Sequence, residues 1–523
     1  MSSQQWIRDF TVTDDDIEYL TSLLFEREIP LGLDEMARAL VERRIEQEAA
    51  AQRERFKDVT PYNPANAYQV GQRVVFPLFD YQVAEVVGVR PGENPDYDAF
   101  SVIEVQFEDN GDASREFAAE LTAPHKLSEW GDDLLMPALD GSADDIFRQH
   151  RQDILPKLRE HLRTDSDLVS VAGKWFSRGL MLDVNEGYLN LAEAVLDMHG
   201  GGPLPTEQIL NEIGGLGSSR VELQIFSLND ALNSDERFDE VGPINTVLWY
   251  LRRFEPQEIR STPASLKYTS IEYDPTLLSS EQEALEAEID DEWSLETDEE
   301  DEDVEVNEVT LTLTYPHWRA GTLPLNTKMR RIFPTARRTQ RIAVTLIDGQ
   351  DGEEYSGWVV RPDRYVFGLK DFYEKHKLPA GTFIEIRRGD ERGKIIVDYR
   401  AHRPRTEWVR VVTPNAGVLS IEDQRRSIGA EYDDLMIMWI DDVDGADAAR
   451  QSVQSQKRTL TAILRALIAD LNRLSPQGTV HAKTLYSVAN ILRRCPPGPI
   501  FAALNTDPEF EYVGNHYWRL SGS

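Results

Sequence analysis

The sequence predicts a multidomain protein of the α+β class, and three observations support this prediction. The chain has 523 residues, of which 41% are apolar, and this is enough for several separate cores. The spacing of apolar residues changes along the chain between the period of helices and the two-residue period of strands. One phrase also occurs twice, as ALNSDERFDEVG at 231–242 and as ALNTDPEFEYVG at 503–514, which indicates a duplicated unit.

Charge and composition limit the possible functions. The formal net charge is −36, and so acidic a chain repels phosphate, yet residues 316–412 contain 20 Lys and Arg against 12 Asp and Glu. The single cysteine, Cys495, excludes an internal disulfide and any site with several thiolates. No long apolar run or signal peptide is present, so we expect a cytoplasmic protein with no membrane partner.

The first two predicted elements are a helical module at 1–62 and a small barrel at 63–128. Helical spacing is seen at Ile17, Leu20 and Leu24. From Tyr68 onwards, short alternating runs such as YQVAEVVGVRPG and FSVIEVQFEDNG are separated by turn residues, which predicts five strands. This pattern resembles SH3-like and Tudor-like barrels, which bind many kinds of partner, so it predicts no particular chemistry.

Residues 143–256 return to helical spacing around the first copy of the repeated phrase. NLAEAVLDM, LPTEQILNEIG and VELQIFSLNDAL predict three helices, and PINTVLWYLRR predicts a strand after them. Three helices followed by a hairpin form the winged-helix arrangement. The sequence predicts one copy at 190–253, a second at 446–523, with Trp518 in the place of Trp249, and an earlier copy at 143–180 as a further possibility.

The paired phrases, the PLPT helix opening and the aromatic-Val-Gly strand resemble the winged-helix family of the bacterial RNA polymerase delta subunit and of helix-turn-helix modules in restriction and chromatin proteins. Residues 257–308 are strongly acidic, which predicts a disordered linker, and a winged helix with an acidic tail is also the layout of the delta subunit. The third helix of the first copy has no cation after Arg220. Because such a helix offers little to phosphates or base edges, these modules are expected mainly to contact proteins or to have a structural role.

The basic region at 309–413 predicts a second barrel. RIAVTLID, YSGWVV, TFIEIRR and GKIIVDY alternate as strands do, and LKDFYEKHKL predicts one short helix between them. This order resembles the seven-stranded DNA-binding pseudobarrel of plant transcription factors and of restriction-enzyme effector domains, although a Gly-Thr turn stands where the family has Gly-Asp. The residues that carry the resemblance are Leu323, Pro324, Phe333, Pro334, Trp358, Tyr365, Gly368, Phe372, Leu378, Gly381 and Ile384, with the DGQDG turn.

The resemblance implies two arms that hold duplex DNA by its phosphates and base edges. The first arm would lie at 328–341, and the second would contain Arg361 and Arg364 beside Asp363. Two alternatives stay open: these cations lie on a solvated face, or they dock on the acidic run at 281–308, which would then gate the cleft. The predicted nucleic-acid-binding residues are Lys328, Arg330, Arg331, Arg337, Arg338, Arg341, Arg361 and Arg364.

Motifs for catalysis and cofactors are not found. GGLGSS at 214–219 lacks the Lys and Ser/Thr of a phosphate-binding loop, and the nine histidines show no zinc spacing. The sequence therefore predicts a bacterial protein that is not an enzyme, has no cofactor or metal, and binds double-stranded DNA. Two other functions remain open: an RNA polymerase accessory protein that acts through protein contacts, and an accessory subunit of a restriction or defence system.

Overall fold

The computed structural model describes residues 10–79, 81–108, 114–125, 142–294, 306–336, 339–391, 393–415 and 418–521. The mixed α+β class is confirmed, because helices accompany six separate sheets among these residues. The chain divides into two compact units. Unit 1 contains residues 1–182 and 219–226, and unit 2 contains residues 183–218 and 227–523. No helix among the described residues is long and apolar enough to cross a bilayer.

Unit 1 contains a module of three helices and a three-stranded sheet. Its strand order is β1-β8-β7, so the strand that follows the first helix pairs with the last strand of the hairpin. The three helices and the hairpin share one core, which includes Leu20, Met36, Leu158 and Phe176. The elements are α1 (Asp14–Arg27), β1 (Leu31–Gly32), α2 (Leu33–Arg55), α3 (Ala143–Thr164), β7 (Leu168–Val171) and β8 (Lys174–Ser177).

A five-stranded sheet is inserted in this module between α2 and α3. Its strands follow in sequence order, and the Tyr62 hydroxyl donates to the Ala118 carbonyl at 2.7 Å, which joins the two ends of the sheet. The predicted number of strands is therefore observed. The N-terminal helices, in contrast, do not form a module of their own, because their apolar faces pack against α3. The strands are β2 (Thr60–Pro61), β3 (Arg73–Phe76), β4 (Gln82–Pro91), β5 (Ser101–Phe107) and β6 (Ser114–Ala119).

The repeated phrase lies in two further modules with the same order of elements. Their sheets have the orders β9-β11-β10 and β22-β24-β23, which correspond to β1-β8-β7. The middle module begins in unit 2, and part of its third helix belongs to unit 1. Its elements are α4 (Glu186–Met198), β9 (Leu204–Pro205), α5 (Thr206–Glu212), α6 (Val221–Ser234), β10 (Phe238–Glu240) and β11 (Leu248–Leu251). The C-terminal elements are α13 (Leu460–Leu471), β22 (Val480–His481), α14 (Ala482–Leu492), α15 (Pro497–Thr506), β23 (Phe510–Gly514) and β24 (Tyr517–Leu520).

One tryptophan position is shared by all three modules. Trp175, Trp249 and Trp518 are buried in the last strand of their hairpins. Each is paired with an apolar residue of the module's first strand, which is Leu31, Leu204 or Val480. A large ring at this point fills the space between sheet and helices. The repeated phrase thus lies at this junction in the middle and C-terminal modules, and the N-terminal module has a tryptophan in the corresponding place.

The centre of unit 2 is a curled seven-stranded half-barrel with the order β12-β17-β18-β14-β15-β16-β13. All its strand pairs are antiparallel except β14 with β18. Alternate residues such as Ile342, Val344 and Leu346 of β14 point into its core. Its elements are β12 (Glu308–Thr312), α9 (Tyr315–Ala320), β13 (Thr322–Pro324), α10 (Thr327–Ile332), β14 (Arg341–Asp348), β15 (Glu354–Val360), β16 (Tyr365–Phe367), α11 (Lys370–Lys375), β17 (Phe383–Arg388) and β18 (Lys394–Tyr399).

Two more parts complete unit 2. A long hairpin follows the half-barrel, and its first strand also pairs with β21. The residues that precede the half-barrel include two helices, so the expected disorder of 257–308 is not seen at 257–294. Residues 295–305 lie outside the described residues. The remaining elements are α7 (Gln257–Arg260), α8 (Ser280–Ile289), β19 (Ala401–Asn415), β20 (Val418–Ala430), β21 (Met438–Ile440) and α12 (Val443–Ser455).

Candidate nucleic-acid interface

The first predicted arm begins on helix α10, and its described cations contact the protein itself. The Lys328 Nζ lies 3.8 Å from an Asp290 carboxylate oxygen. Arg330 Nε donates to the Leu325 carbonyl at 3.3 Å, and the Arg331 carbonyl accepts a hydrogen bond from Arg388. Arg337 and Arg338 lie outside the described residues.

Arg341, at the end of this arm, belongs to a carboxylate cluster. Its guanidinium donates to the Ile259 carbonyl at 2.9 Å and forms ion pairs with Asp239 at 3.1 Å and Glu255 at 3.3 Å. The Glu255 side chain has no solvent-exposed surface, and burial together with Asp239 raises its pKa to about 7. Arg341 therefore compensates buried acids and is not directed to an external phosphate.

The second predicted arm is the turn between β15 and β16. Arg361 is exposed, and it donates to the Thr339 carbonyl at 2.9 Å. Arg364 donates to the Glu292 carbonyl at 2.9 Å, and its guanidinium lies 5.0 Å from the centre of the Trp293 ring. Of the two cations predicted here, only Arg361 is thus largely open to solvent.

The acidic segment that follows α8 occupies the space between the two predicted arms. Besides the contacts of Lys328 and Arg364, the Asn326 amide donates to the Asp290 carbonyl at 2.8 Å. Asp291 and Glu292 are buried, and Arg494 pairs with both at 2.7 Å. The sequence predicted a disordered linker here because so acidic a run looked too charged to bury. The cation that pairs with Asp291, Arg494, lies 203 residues further along the chain.

The Asp291–Glu292–Arg494 cluster is extended by further polar groups. The Tyr486 hydroxyl donates to Asp291 at 2.5 Å, and His317 Nε2 lies 3.2 Å from a Glu292 oxygen. Burial raises the pKa of Asp291, whereas at Glu292 the burial effect is outweighed by Arg494 and His317, which lower its pKa. This buried network joins the 290–293 segment, the half-barrel and the C-terminal module, so its role is structural.

A second acidic group lies at the β14–β15 turn. Carboxylate oxygens of Asp348, Asp351 and Glu353 are close enough together to hold a cation. The Lys375 ammonium lies 2.8, 2.6 and 2.8 Å from them, respectively. The charge that such a cluster requires is therefore supplied by the chain's own lysine.

The third helices of the three modules differ in exposure and charge. Helix α6 carries no Lys or Arg, and its residues from Leu223 to Asn229 are buried or half-buried. Helix α15 has no charged residue and is almost completely buried, with Asn505 at its end donating to the Leu277 carbonyl at 2.8 Å. Helix α3, in contrast, contains five Lys and Arg residues against four Asp and Glu residues, and one side of it is exposed.

The exposed face of α3 is a row of long polar side chains. Ile146, Phe147, Ile154, Leu158 and Leu162 are buried. The row on the opposite side has spacings of four, seven and four residues, which place its members on one helix face. Carboxylates share this exposed side: Asp145 lies in line with the row, and Asp153 and Glu160 lie beside it, near Gln149. The members of the row are Arg148, Gln152, Arg159 and Arg163, with Gln149 beside them.

Most of this row is available for a ligand. Arg148 forms one exposed ion pair with Asp145 at 3.5 Å. Among the described residues, Arg159 and Arg163 form no ion pair. The hairpin that follows turns tightly at Ala172 and Gly173, which both have positive φ, and it exposes Lys174 immediately after the turn.

Sequence reasoning missed α3 as a candidate because the inserted five-stranded sheet separates it from the first two helices of its module. The signal that could have found it is the run IFRQHRQDILPKLRE, in which Arg and Gln recur opposite an apolar stripe. A scan against protein-family models and searches of curated proteins and of solved structures found no significant match to this chain. The candidate interface is therefore defined by its own residues, fold position and charges.

Proposed function

We propose that this chain binds duplex DNA through helix α3 and the β7–β8 hairpin. One observation carries the proposal: the row of Arg148, Gln152, Arg159 and Arg163 is the exposed face of the third helix of a three-helix module with a hairpin. The sequence resemblance to winged helices supports the same interpretation, since in such modules the third helix enters the major groove.

The side chains of α3 suit both phosphates and base edges. Arginine can donate two hydrogen bonds to guanine, and glutamine can pair in the same way with adenine. The helix has 22 residues and is about 33 Å long, so Arg148 and Arg163 are separated by about 22 Å along its axis. Residues at the two ends would therefore reach phosphates on either side of a groove, while Gln152, between Arg148 and Arg159 in the row, faces the bases.

The hairpin supplies a second contact of the same kind. Lys174 lies at its tip and Arg178 follows β8, and both are exposed. A basic hairpin beside the helix can lie along the adjacent backbone, where the charge of the phosphates is neutralised without reading sequence. In the middle and C-terminal modules the third helices are largely buried, so these modules have a structural role in this proposal.

The test is a titration of labelled duplex DNA at several salt concentrations. Each phosphate neutralised contributes about 0.9 to the slope of log K against log salt, so R148A/R159A/R163A should lower this slope by about 2 to 3. The matched control R330A/R331A/R361A removes three cations from the predicted arms of the half-barrel and should leave the slope unchanged.

Two results would contradict this assignment. A slope that falls only in the control variant would place the DNA on the half-barrel arms, as the sequence alone predicts. Unchanged binding in both variants, or no binding by the wild type at low salt, would exclude duplex DNA as the ligand of either surface. Circular dichroism of each variant checks that the substitutions, which are on exposed or half-exposed side chains, leave the fold intact.

A further inference from the structure

The long hairpin of β19 and β20 has one open edge. Its sheet has the strand order β20-β19-β21, so β20 has a neighbouring strand on one side only. Apart from the ladder with β19, residues 422–428 form no backbone–backbone hydrogen bond with another described residue. An unpaired strand edge is a template to which a further strand can add through main-chain hydrogen bonds.

This edge lacks most of the features that usually prevent such pairing. β20 has 13 residues, and its register with β19 is continuous from Ile428 to Val418, without a bulge. The strand contains neither proline nor lysine. Soluble proteins normally keep their edge strands short, bend them, or place these residues on them. The remaining protective feature is charge, so the arrangement of the charged side chains decides what can pair with β20.

The charges of β20 have opposite sign on the two sides of Gln424. Glu422 and Asp423 precede this residue, and Arg425 and Arg426 follow it. When two β20 strands pair antiparallel with their Gln424 residues opposite each other, Glu422 of each copy faces Arg426 of the other. In the same way Asp423 faces Arg425, and each pair occurs twice. Opposite charges that face each other across antiparallel strands stabilise the pairing.

Other pairings of two β20 strands lack this match. A shift of the register by two residues places Arg425 opposite Arg425 in one direction and Asp423 opposite Asp423 in the other. A parallel pair in register places every charge opposite its own kind. The pattern therefore specifies one antiparallel register with a two-fold axis at Gln424, and two-fold symmetry is the commonest symmetry of homo-oligomers.

Most of the side chains that these pairs require are accessible. Glu422, Asp423 and Arg425 are exposed, and none of them forms an ion pair within the part of the chain that the structure describes. Arg426 is half-buried and lies 2.7 Å from an Asp441 oxygen. Three of the four charged groups thus have no ion-pair partner in the single chain, and Arg426 would be shared between Asp441 and the second copy's Glu422.

Asp423 and Arg425 lie on the hairpin face that carries Trp408. Arg425 is paired with Trp408 in the ladder and lies 6.0 Å from the centre of its ring. Asp423 is paired with Arg410, whose guanidinium donates to the Asp434 carbonyl at 2.9 Å. Across two paired copies one row of side chains is therefore Arg410, Asp423, and then Arg425 and Trp408 of the second copy. Each Asp423 carboxylate lies between two arginines in this row.

We propose that two copies of this chain associate through β20 and form one continuous six-stranded sheet. Backbone hydrogen bonds along the edge supply the contact, and the four ion pairs fix its register. A strand of another sequence would meet unmatched charges, so the edge favours its own copy. This interface lies in unit 2 and does not depend on the duplex site proposed on α3 in unit 1.

The experiment is sedimentation velocity of the full chain over a range of concentrations. The wild type should form a dimer that weakens as salt is added. R425D places two aspartates opposite each other twice, and D423R does the same with arginines, so each variant should weaken dimerisation by at least about a hundredfold. An equimolar mixture of R425D and D423R should dimerise again, because every aspartate then faces an arginine. Recovery in the mixture also shows that neither variant is misfolded.

A disulfide provides an independent measurement of the register. Gln424→Cys should cross-link two copies under oxidising conditions, because facing Cα atoms in antiparallel strands are about 4.5 to 5.5 Å apart. The native Cys495 is buried and should not interfere. The matched control is Thr406→Cys, an exposed position on β19 that lies at least three strand spacings, or about 14 Å, from its equivalent.

Three results would overturn the proposal. The first is a wild type that stays monomeric up to roughly 100 μM. The second is a dimer that R425D leaves unchanged or that Q424C does not cross-link, since its interface would then lie elsewhere. The third is a mixture of R425D and D423R that stays monomeric although the wild type dimerises, since charge pairing would then not specify the contact.

Discussion

Replacing Arg494 by methionine should destabilise the junction at which the C-terminal module meets the 290–293 segment. The Arg494 side chain is 2% exposed, and Asp291 and Glu292 are equally buried, so the substitution leaves two carboxylates without their cation. Removing one partner of a buried ion pair costs about 3 to 5 kcal/mol, and the presence of two acids places this case at the upper end. Local opening should thus become about a thousandfold more frequent at neutral pH.

Hydrogen exchange of the full chain is the appropriate assay, because a multidomain protein has no single unfolding free energy. The amides of α14 should lose protection in R494M, and lowering the pH should restore part of it, since protonation removes the uncompensated charges. The control D291N/E292Q/R494M removes all three charges and should recover most of the protection. Protection in R494M that equals the wild type, or a triple variant as labile as the single one, would refute the structural role of this network.

Three other predictions concern single sites. Burial raises the pKa of Glu255 to about 7 from an ordinary 4.5, so its contribution to stability is present below pH 4.5 and is lost as the pH rises through 7. E255Q should therefore flatten the pH dependence of the melting temperature between pH 4.5 and 7, in melts at several pH values. Lys375→Ala should lower the melting temperature, because the carboxylates of Asp348, Asp351 and Glu353 lose their ammonium partner. Millimolar Ca²⁺ should restore the melting temperature of the variant, and it should not raise that of the wild type. Gly242→Ala should make local opening of the β10–β11 hairpin more frequent in hydrogen exchange, by the factor that corresponds to about 1 to 3 kcal/mol, since its Cβ would lie 2.0 Å from the Thr246 carbonyl oxygen. An unchanged pH dependence in E255Q, an unchanged melting temperature in K375A or unchanged protection in G242A would each refute the corresponding prediction.

Sequence patterns predicted the elements that depend on local order. Alternation in RIAVTLID and TFIEIRR corresponds to β14 and β17, and the repeated phrase located the helix–hairpin junctions around Trp249 and Trp518. The third junction, at Trp175, was predicted only in part. The first two helices of its module precede the five-stranded sheet, and in the sequence they look like a separate module. Periodicity describes neighbours in the chain and cannot show which distant helix completes a core.

The candidate sites depended on distant residues in the same way. The acidic composition of 281–308 predicted solvation, and for Asp291 and Glu292 this was wrong because Arg494 compensates them from the C-terminal module. The cluster of cations at 328–341 predicted an arm, but the ion pairs of Arg341 with Asp239 and Glu255 come from residues about a hundred positions earlier. Charge density along the chain therefore identified where cations occur, and only the fold shows which of them remain exposed.

The insertion of the five-stranded sheet between α2 and α3 affects the order in which the N-terminal module can be assembled. During synthesis the apolar faces of α1 and α2, with Leu20, Leu24 and Leu40, emerge long before α3 and the β7–β8 hairpin that cover them. The five-stranded sheet has its own core around Phe76 and Ile103, and all its strands are neighbours in sequence, so it can fold first. The folded sheet brings its own two ends together, with the Leu121 amide donating to the Pro64 carbonyl at 2.9 Å, which shortens the connection that must close when the outer module forms and lowers its entropy cost.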